Sequence, residues 1–486
     1  MTATATPRIS RPYKVLGLIS LSTFLVALDV SIVVVAKRTI EEDLGGGSLL
    51  TWVFSAYAIA YAAGLLTAGR FADVFGRKRA FIRGLAWFSF GSLLCGIAPN
   101  AWVLVLARIV QALGGAQLTP ASLALVLPEF PVEKRTQAIA IWGATGGLAS
   151  ALGPSLGGML VDAFGWRSLF FINIPFTVVT IVLSRRILHE SKDPNATRQV
   201  DYVSVVTGFS GIALVVLGIS QSEVWGWTDT RTLGAIAVGL LLVAGFVMRC
   251  NQIDNPLLDL KLFKLPFVVA ANFAGLLFSV GFIGMWLLNT FWLQAVWGYS
   301  VMQTGFATMP GPGMAAIIAP FAGRFATKYG HARVLFVGAI LLSIGTFGLT
   351  NLITVEPNYL THYFPWMIIT GTGVGLSIST LSSSATAFLK PTQFAMGSAL
   401  NTTGRQIGTA LGAALSIAIA APALARIEIA RKSGQPLDPN HLAEMHHAWN
   451  MNGAIYFIAG LAMILIFRTP TDAQMADARA ETKFED

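Results

Sequence analysis

The residues of this chain best suited to chemistry sit where charge is costly. Asp29, within Ala27-Leu-Asp-Val-Ser-Ile32, lies roughly fourteen residues into the first apolar run and is the one acidic residue deep inside any such run. Arg108, within Leu106-Ala-Arg-Ile-Val-Gln-Ala-Leu-Gly-Gly115, lies about six residues inside another, with Gln111 one turn further on. A charge at the middle of a hydrocarbon span costs at least about 2.5–3.5 kcal/mol, so each should face a partner or a watery cavity. Burial favours the neutral form of a carboxylate and a nearby arginine favours the charged form, so an acid held between the two can exchange a proton near physiological pH. A fixed structural ion pair is the competing reading for Asp29. Snorkelling is the competing reading for Arg108, weakened by its depth.

Two further patterns stand out. Gly69-Arg-Phe-Ala-Asp-Val-Phe-Gly-Arg-Lys-Arg79 places glycines at both ends of a short charged turn, which suits a tight link between two helices at a membrane surface. A positive surface loop accounts for Arg77, Lys78 and Arg79, but not for Asp73 framed by Gly69 and Gly76. A later apolar run carries Gly143, Gly146, Gly147, Gly153-Pro154 and Gly157-Gly158. Glycines four apart let helices approach closely, and Pro154 permits a bend.

The elements that must position these groups are membrane helices. Of 486 residues, 54% are hydrophobic and only 12% are charged, against about 25% charged in soluble chains. Mean hydropathy over the whole length is +0.66, more than one anchor on a soluble domain can supply. Runs long enough to cross the bilayer fall at about 15–36, 52–72, 80–98, 102–126, 138–162, 167–186, 203–221, 231–249, 267–294, 304–322, 333–352, 363–388, 397–421 and 450–468. With the N-terminus inside, 24 of the 33 basic residues fall in inner segments and seven in outer ones, leaving Arg108 and Arg405 within spans. That bias predicts fourteen spans with both termini cytoplasmic, in a cell inner (plasma) membrane. The formal charge of +9 is thereby read as topology and not as nucleic-acid binding. The run after Arg8, Arg11 and Lys14 reads as an uncleaved first helix.

Gly323-Arg-Phe-Ala-Thr-Lys-Tyr-Gly-His-Ala-Arg333 repeats the 69–79 run with six identities in eleven. Each copy follows the second span of its half, so the chain divides into two parallel six-helix halves. The expected domains are a tail 1–14, a half 15–186, a linker with two extra helices 187–266, a half 267–468 and a tail 469–486. Cys95 and Cys250 imply neither a disulfide framework nor a metal site. His189, His331, His362, His441, His446 and His447 lie between or at the ends of spans, without the i, i+4 spacing of a zinc site. Gly371-x-Gly-x-Gly375 has no strand before it, and no Gly-x-x-x-x-Gly-Lys-Ser/Thr run exists, so no cofactor or nucleotide-driven pump is expected.

The 69–79 run resembles motif A of the major facilitator superfamily, with Phe71 and Val74 as departures. The Arg108 run resembles that family's motif B, with Ala112 for a glycine. Gly153-Pro-Ser-Leu-Gly-Gly158 resembles motif C, characteristic of exporters, with Ala149 for its first glycine. The Asp29 segment resembles the first-helix motif of fourteen-helix drug antiporters, with Ser31, Val34 and Lys37-Arg38 as departures. Runs 165–175, 256–263 and 401–408 resemble the same antiporters. The resemblance implies a cytoplasmic charge network at Asp73 and Arg77 that favours the outward-facing state, and a coupling role for Arg108 and Gln111. It also implies export, and an all-α fold of two six-helix halves plus two central helices.

The expected activity is proton-driven expulsion of amphipathic drugs, cations among them, by a monomer in the bilayer. Protons can supply the work, since one charge crossing 100 mV yields about 2.3 kcal/mol. The alternatives are export of one endogenous metabolite, lipid or siderophore, uptake symport, and a non-transporting receptor or membrane enzyme. No span holds a catalytic His, Cys or Ser constellation. Mid-span Tyr57, Gln117, Asn289, Trp292 and Gln294 are candidates for the substrate cavity through stacking and cation–π contact, with ordinary packing as the alternative. Arg405 is either structural or cavity-lining.

Overall fold

The computed structural model describes residues 11–47, 49–192, 201–433, 435, 437, 442–471 and 474. Among them the chain is helical throughout: α1 (Arg11–Val35), α2 (Lys37–Leu44), α3 (Leu49–Phe75), α4 (Arg77–Gly96), α5 (Ala101–Val126), α6 (Val132–Phe164), α7 (Ser168–Phe171) and α8 (Asn173–Ile187) form the first half. α9 (Tyr202–Trp225) and α10 (Thr230–Gln252) follow, and α11 (Pro266–Phe291), α12 (Val301–Thr308), α13 (Pro310–Tyr329), α14 (His331–Leu352), α15 (Phe364–Thr386), α16 (Phe394–Ser433) and α17 (Ala443–Ile466) form the second.

Eleven spans among the described residues are long and apolar enough to cross a membrane. The remaining three expected runs, 80–98, 138–162 and 304–322, fall on α4, α6 and the α12–α13 pair. These helices are diluted by the Arg77–Arg79 cluster, by the α6 glycines and by Pro310, Pro312 and Pro320 respectively. Several boundaries move. The tenth expected span is broken between α12 and α13 at Pro310, where the missing N–H ends one helix and starts the next. α11 runs into a π turn over Trp292–Val296. α16 is 40 residues long, so residues 422–433, expected in an outer loop, continue a helix. Lys37 and Arg38 open the short polar helix α2.

The halves meet through α3 and α5 against α16, and through α6 against α13 and α15. α9 and α10 pack on each other, and α9 lies across the α3 and α16 edge. There Val215 and Ile219 bury against Ala414. Asp201, at the start of α9, holds Arg249 of α10 through bonds of 2.6 and 2.9 Å. That guanidinium pulls the carboxyl down to about 2.

Candidate functional site

α1, α4, α5 and α8 bring one polar cluster together inside the first half. Arg108 and Gln111 are three apart on α5 and so share a face. Gly91 of α4 lies against the Gln111 backbone, where a side chain would collide, and Gly114 of α5 is likewise closed on Phe88. The two helices therefore approach closely enough for Gln111 Nε2 to reach Ser92 Oγ at 3.2 Å.

Asp29 is 0% exposed and Arg108 1%, so both charges are sealed from the surroundings. Arg108 Nη1 donates to Asp29 Oδ2 at 2.6 Å and to Gln111 Oε1 at 2.7 Å. The second carboxylate oxygen accepts from Gln111 Nε2 and from Asn173 Nδ2, each at 2.8 Å. Asn173 Nδ2 also reaches Ser92 Oγ at 3.0 Å, and the Ser92 hydroxyl donates to the Phe170 carbonyl. The Tyr57 ring lies 4.0 Å from the guanidinium carbon, and Arg108 Nε donates to the Val53 carbonyl at 3.4 Å. Asp29 thus accepts three hydrogen bonds, one of them charge-assisted.

The glycines of α6 set the position of Asp29. Side chains at Gly153 and Gly157 would meet Ser31 and Ile32 of α1, the latter with its carbonyl 3.1 Å away. The turn after Asp29 is therefore seated in a groove that only glycine leaves open. Gly158 faces open space, and the Pro154 side chain lies outside the described residues.

A second cluster lies at the seam between the halves. Gly76 ends α3 at φ +106°, a conformation suited to glycine, and turns the chain into α4. Arg77 donates to Asp73 Oδ1 at 3.0 and 3.2 Å and, across the seam, to the Pro391 carbonyl at 2.5 Å. Both side chains are about 95% buried or more. A methyl group on Gly69 would lie 2.9 Å from Ala399 Cβ, so α3 meets α16 almost backbone to backbone. Lys78 Nζ ties the turn to the end of α8 through the Arg185 and Leu188 carbonyls. Arg135, buried at the start of α6, lies over the Phe394 ring at 4.9 Å, and burial pushes its guanidinium down to about 10.

The other candidates scatter. Tyr57 belongs to the Arg108 cluster. Gln117 packs beside Gly84 of α4, 3.1 Å from where a methyl there would stand. Asn289 accepts from Trp449 Nε1 at 3.0 Å, and Trp292 stacks against Trp449 and His446 in a closed aromatic core of the second half. Gln294 is half-buried in the π turn. Arg405 lies half-buried on α16 facing Gly275 of α11. Sequence reasoning missed Ser92 and Asn173. Asn173 lies within the 165–175 run, but an uncharged amide raises no alarm by itself.

The Major Facilitator Superfamily model matches residues 19–413 and again 273–483. The chain belongs to this family. This superfamily member is 32% identical over 473 residues to the multidrug resistance protein B homolog of Mycobacterium tuberculosis, covering 92% of this chain and 87% of that one. It is 31% identical to the tetracenomycin C resistance and export protein of Streptomyces glaucescens, covering 83% and 75%. Its fold matches the human organic anion transporter MFSD10 (TETRAN) at a TM-score of 0.68, with 14% identity over 94% of this chain and all of that one. It is therefore a polytopic membrane transporter of small molecules.

Proposed function

We propose that the protein exports amphipathic drugs or antibiotics across the inner membrane in exchange for protons. The observation that carries this reading is Asp29, fully buried and bonded to Arg108, Gln111 and Asn173. Protonation turns one carboxylate oxygen from acceptor into donor and leaves Arg108 a buried cation without its counter-charge. Removing one partner of a buried pair costs about 3–5 kcal/mol, enough to drive α1 and α5 into another arrangement. A proton taken up outside would thus reset the halves about the seam, and its release inside would restore the pair. Export as the direction is supported by the resistance and export relatives and by the resemblance of Gly153-Pro-Ser-Leu-Gly-Gly158 to the exporter motif.

In this reading α4, α6 and the α12–α13 pair complete fourteen spans, both termini are cytoplasmic, and the Gly76 turn faces the cytoplasm. The Asp73–Arg77 cluster holds that side shut. The domains in this reading are two halves with an inserted helix pair, the first half opening with α1 at Arg11.

Asp29→Asn keeps the shape of the side chain and removes its titration. It should insert and fold, and drug efflux from vesicles under an imposed pH gradient should fall to the level of empty vesicles. Undiminished gradient-driven efflux in this variant would sink the proton assignment. Export of one endogenous compound is the second reading, supported by the relative named for tetracenomycin C alone. A substrate panel in the same vesicles separates broad from narrow specificity.

A further inference from the structure

Arg405 lies within an expected span and, unlike Arg108, has no carboxylate partner among the described residues. Among the described residues it makes no ion pair and its guanidinium donates no hydrogen bond; of the ionisable groups, only the Tyr61 phenol is close enough to act on it. The residue as a whole is half-buried. One turn earlier on α16, Asn401 is 4% exposed and its Nδ2 has no acceptor. The two side chains converge on Gly275 of α11: a methyl there would lie 3.5 Å from both Arg405 Cγ and Asn401 Nδ2. Glycine leaves room for a methyl group in α11, beside the Asn401 amide donor and the aliphatic stem of Arg405.

A guanidinium and an amide N–H group offer only donors, and donors left unmade away from water are costly. Their natural complement is an oxyanion, which the arginine fork grips with two bonds. Asp29 already cancels the charge of Arg108, so Arg405 sets the net charge of this interior region. The Tyr61 ring stacks on Tyr57 at 6.0 Å, which adds an aromatic wall on the α3 side.

We infer that the seam between α3, α11 and α16 is a subsite for the acidic group of the substrate, with Arg405 and Asn401 as its donors. The preferred cargo is then an aromatic amphipathic carboxylate, in place of the amphipathic cation expected from the aromatic residues. This assignment rests on the export reading and names its substrate class.

Two matched probes test it: a dansyl fluorophore on a six-carbon chain ending in a carboxylate, and the same chain ending in an amine. Binding is read by fluorescence on the purified full chain in phosphatidylcholine nanodiscs. The carboxylate probe should bind at least about tenfold tighter than the amine, the scale of a charged hydrogen-bonded contact. Arg405→Gln should erase that preference, and Arg405→Lys should keep most of it. Asn401→Asp supplies an internal carboxylate one turn from Arg405 and should also erase it, which keeps the test available if Arg405→Gln fails to fold. Equal binding of the two probes, or a carboxylate preference that survives both Arg405→Gln and Asn401→Asp, overturns the subsite. Displacement of the probe on changing the lipid to phosphatidylglycerol assigns the donors to an anionic lipid headgroup and overturns the substrate reading. Efflux is measured separately in vesicles: an anion leaving as a proton enters moves two charges in one direction, so an inside-negative potential should speed the carboxylate and not the amine. Arg405-dependent binding without any efflux would remove the export reading and leave the subsite standing.

Discussion

The two copies of the eleven-residue repeat share geometry and differ in chemistry. Gly69 of α3 closes on Ala399 of α16, and Gly323 of α13 closes on Ala140 of α6, in both cases 2.9 Å from a methyl placed on the glycine. Gly76 and Gly330 both turn the chain at positive φ, +106° and +90°. The first copy then sets Asp73 and Arg77 in a buried pair that reaches Pro391. The second has Thr327 and His331 at those places, and His331 Nε2 meets Thr136 Oγ1 at 3.3 Å. Close approach of the halves is therefore a property of the glycines and is needed twice. The charged latch is an addition made once.

Breaking the latch should have the largest effect. Arg77→Gln removes the arginine from a buried carboxylate and should destabilise the closed seam by about 3–5 kcal/mol. Spin-label distances across the α3–α16 end would then show a widened population, and an unchanged distribution would reduce the latch to decoration. Next come Gly69→Val and Gly323→Val, which overpack the two contacts. Each should cost about 1–3 kcal/mol and lower the unfolding temperature by similar amounts; a large asymmetry would contradict the shared geometry. The smallest effect belongs to His331→Gln, which puts one hydrogen bond to Thr136 and ring contacts with Phe388 and Phe467 at risk and should cost about 1–2 kcal/mol. A loss as large as that of Arg77→Gln would mean the second copy carries a latch of its own.

Much of this was open to reading in the residues. The repeat, the run of apolar spans and the isolated Asp29 follow from composition and spacing, because hydrocarbon penalises charge so heavily that each exception stands out. Arg108 and Gln111 were visible for the same reason, one by charge and the other by sharing its helix face. Ser92, Asn173 and Asn401 were not. A serine or an asparagine in a span is common and cheap, and its importance comes from what it touches. Asn289 and Trp292 show the converse: both looked suited to a cavity, yet they lie in the aromatic core around Trp449. The break at Pro310 and the extension of α16 through residue 433 also escaped, since hydropathy alone registers neither a missing backbone donor nor a helix that outlasts its apolar run.

By itself the sequence determined that the chain lives in a membrane, that it is built from two similar halves and that one acid lies deep within it, because these are consequences of transfer energy and local backbone preference. Tertiary structure alone decided which groups surround that acid. Asn173 reaches Asp29 across 144 positions of chain, and among the described residues Arg405 has no carboxylate partner while Arg108 has one. Those outcomes depend on the rotation and register of packed helices, and glycine contacts such as Gly153 on Ser31 set them only once both helices are in place.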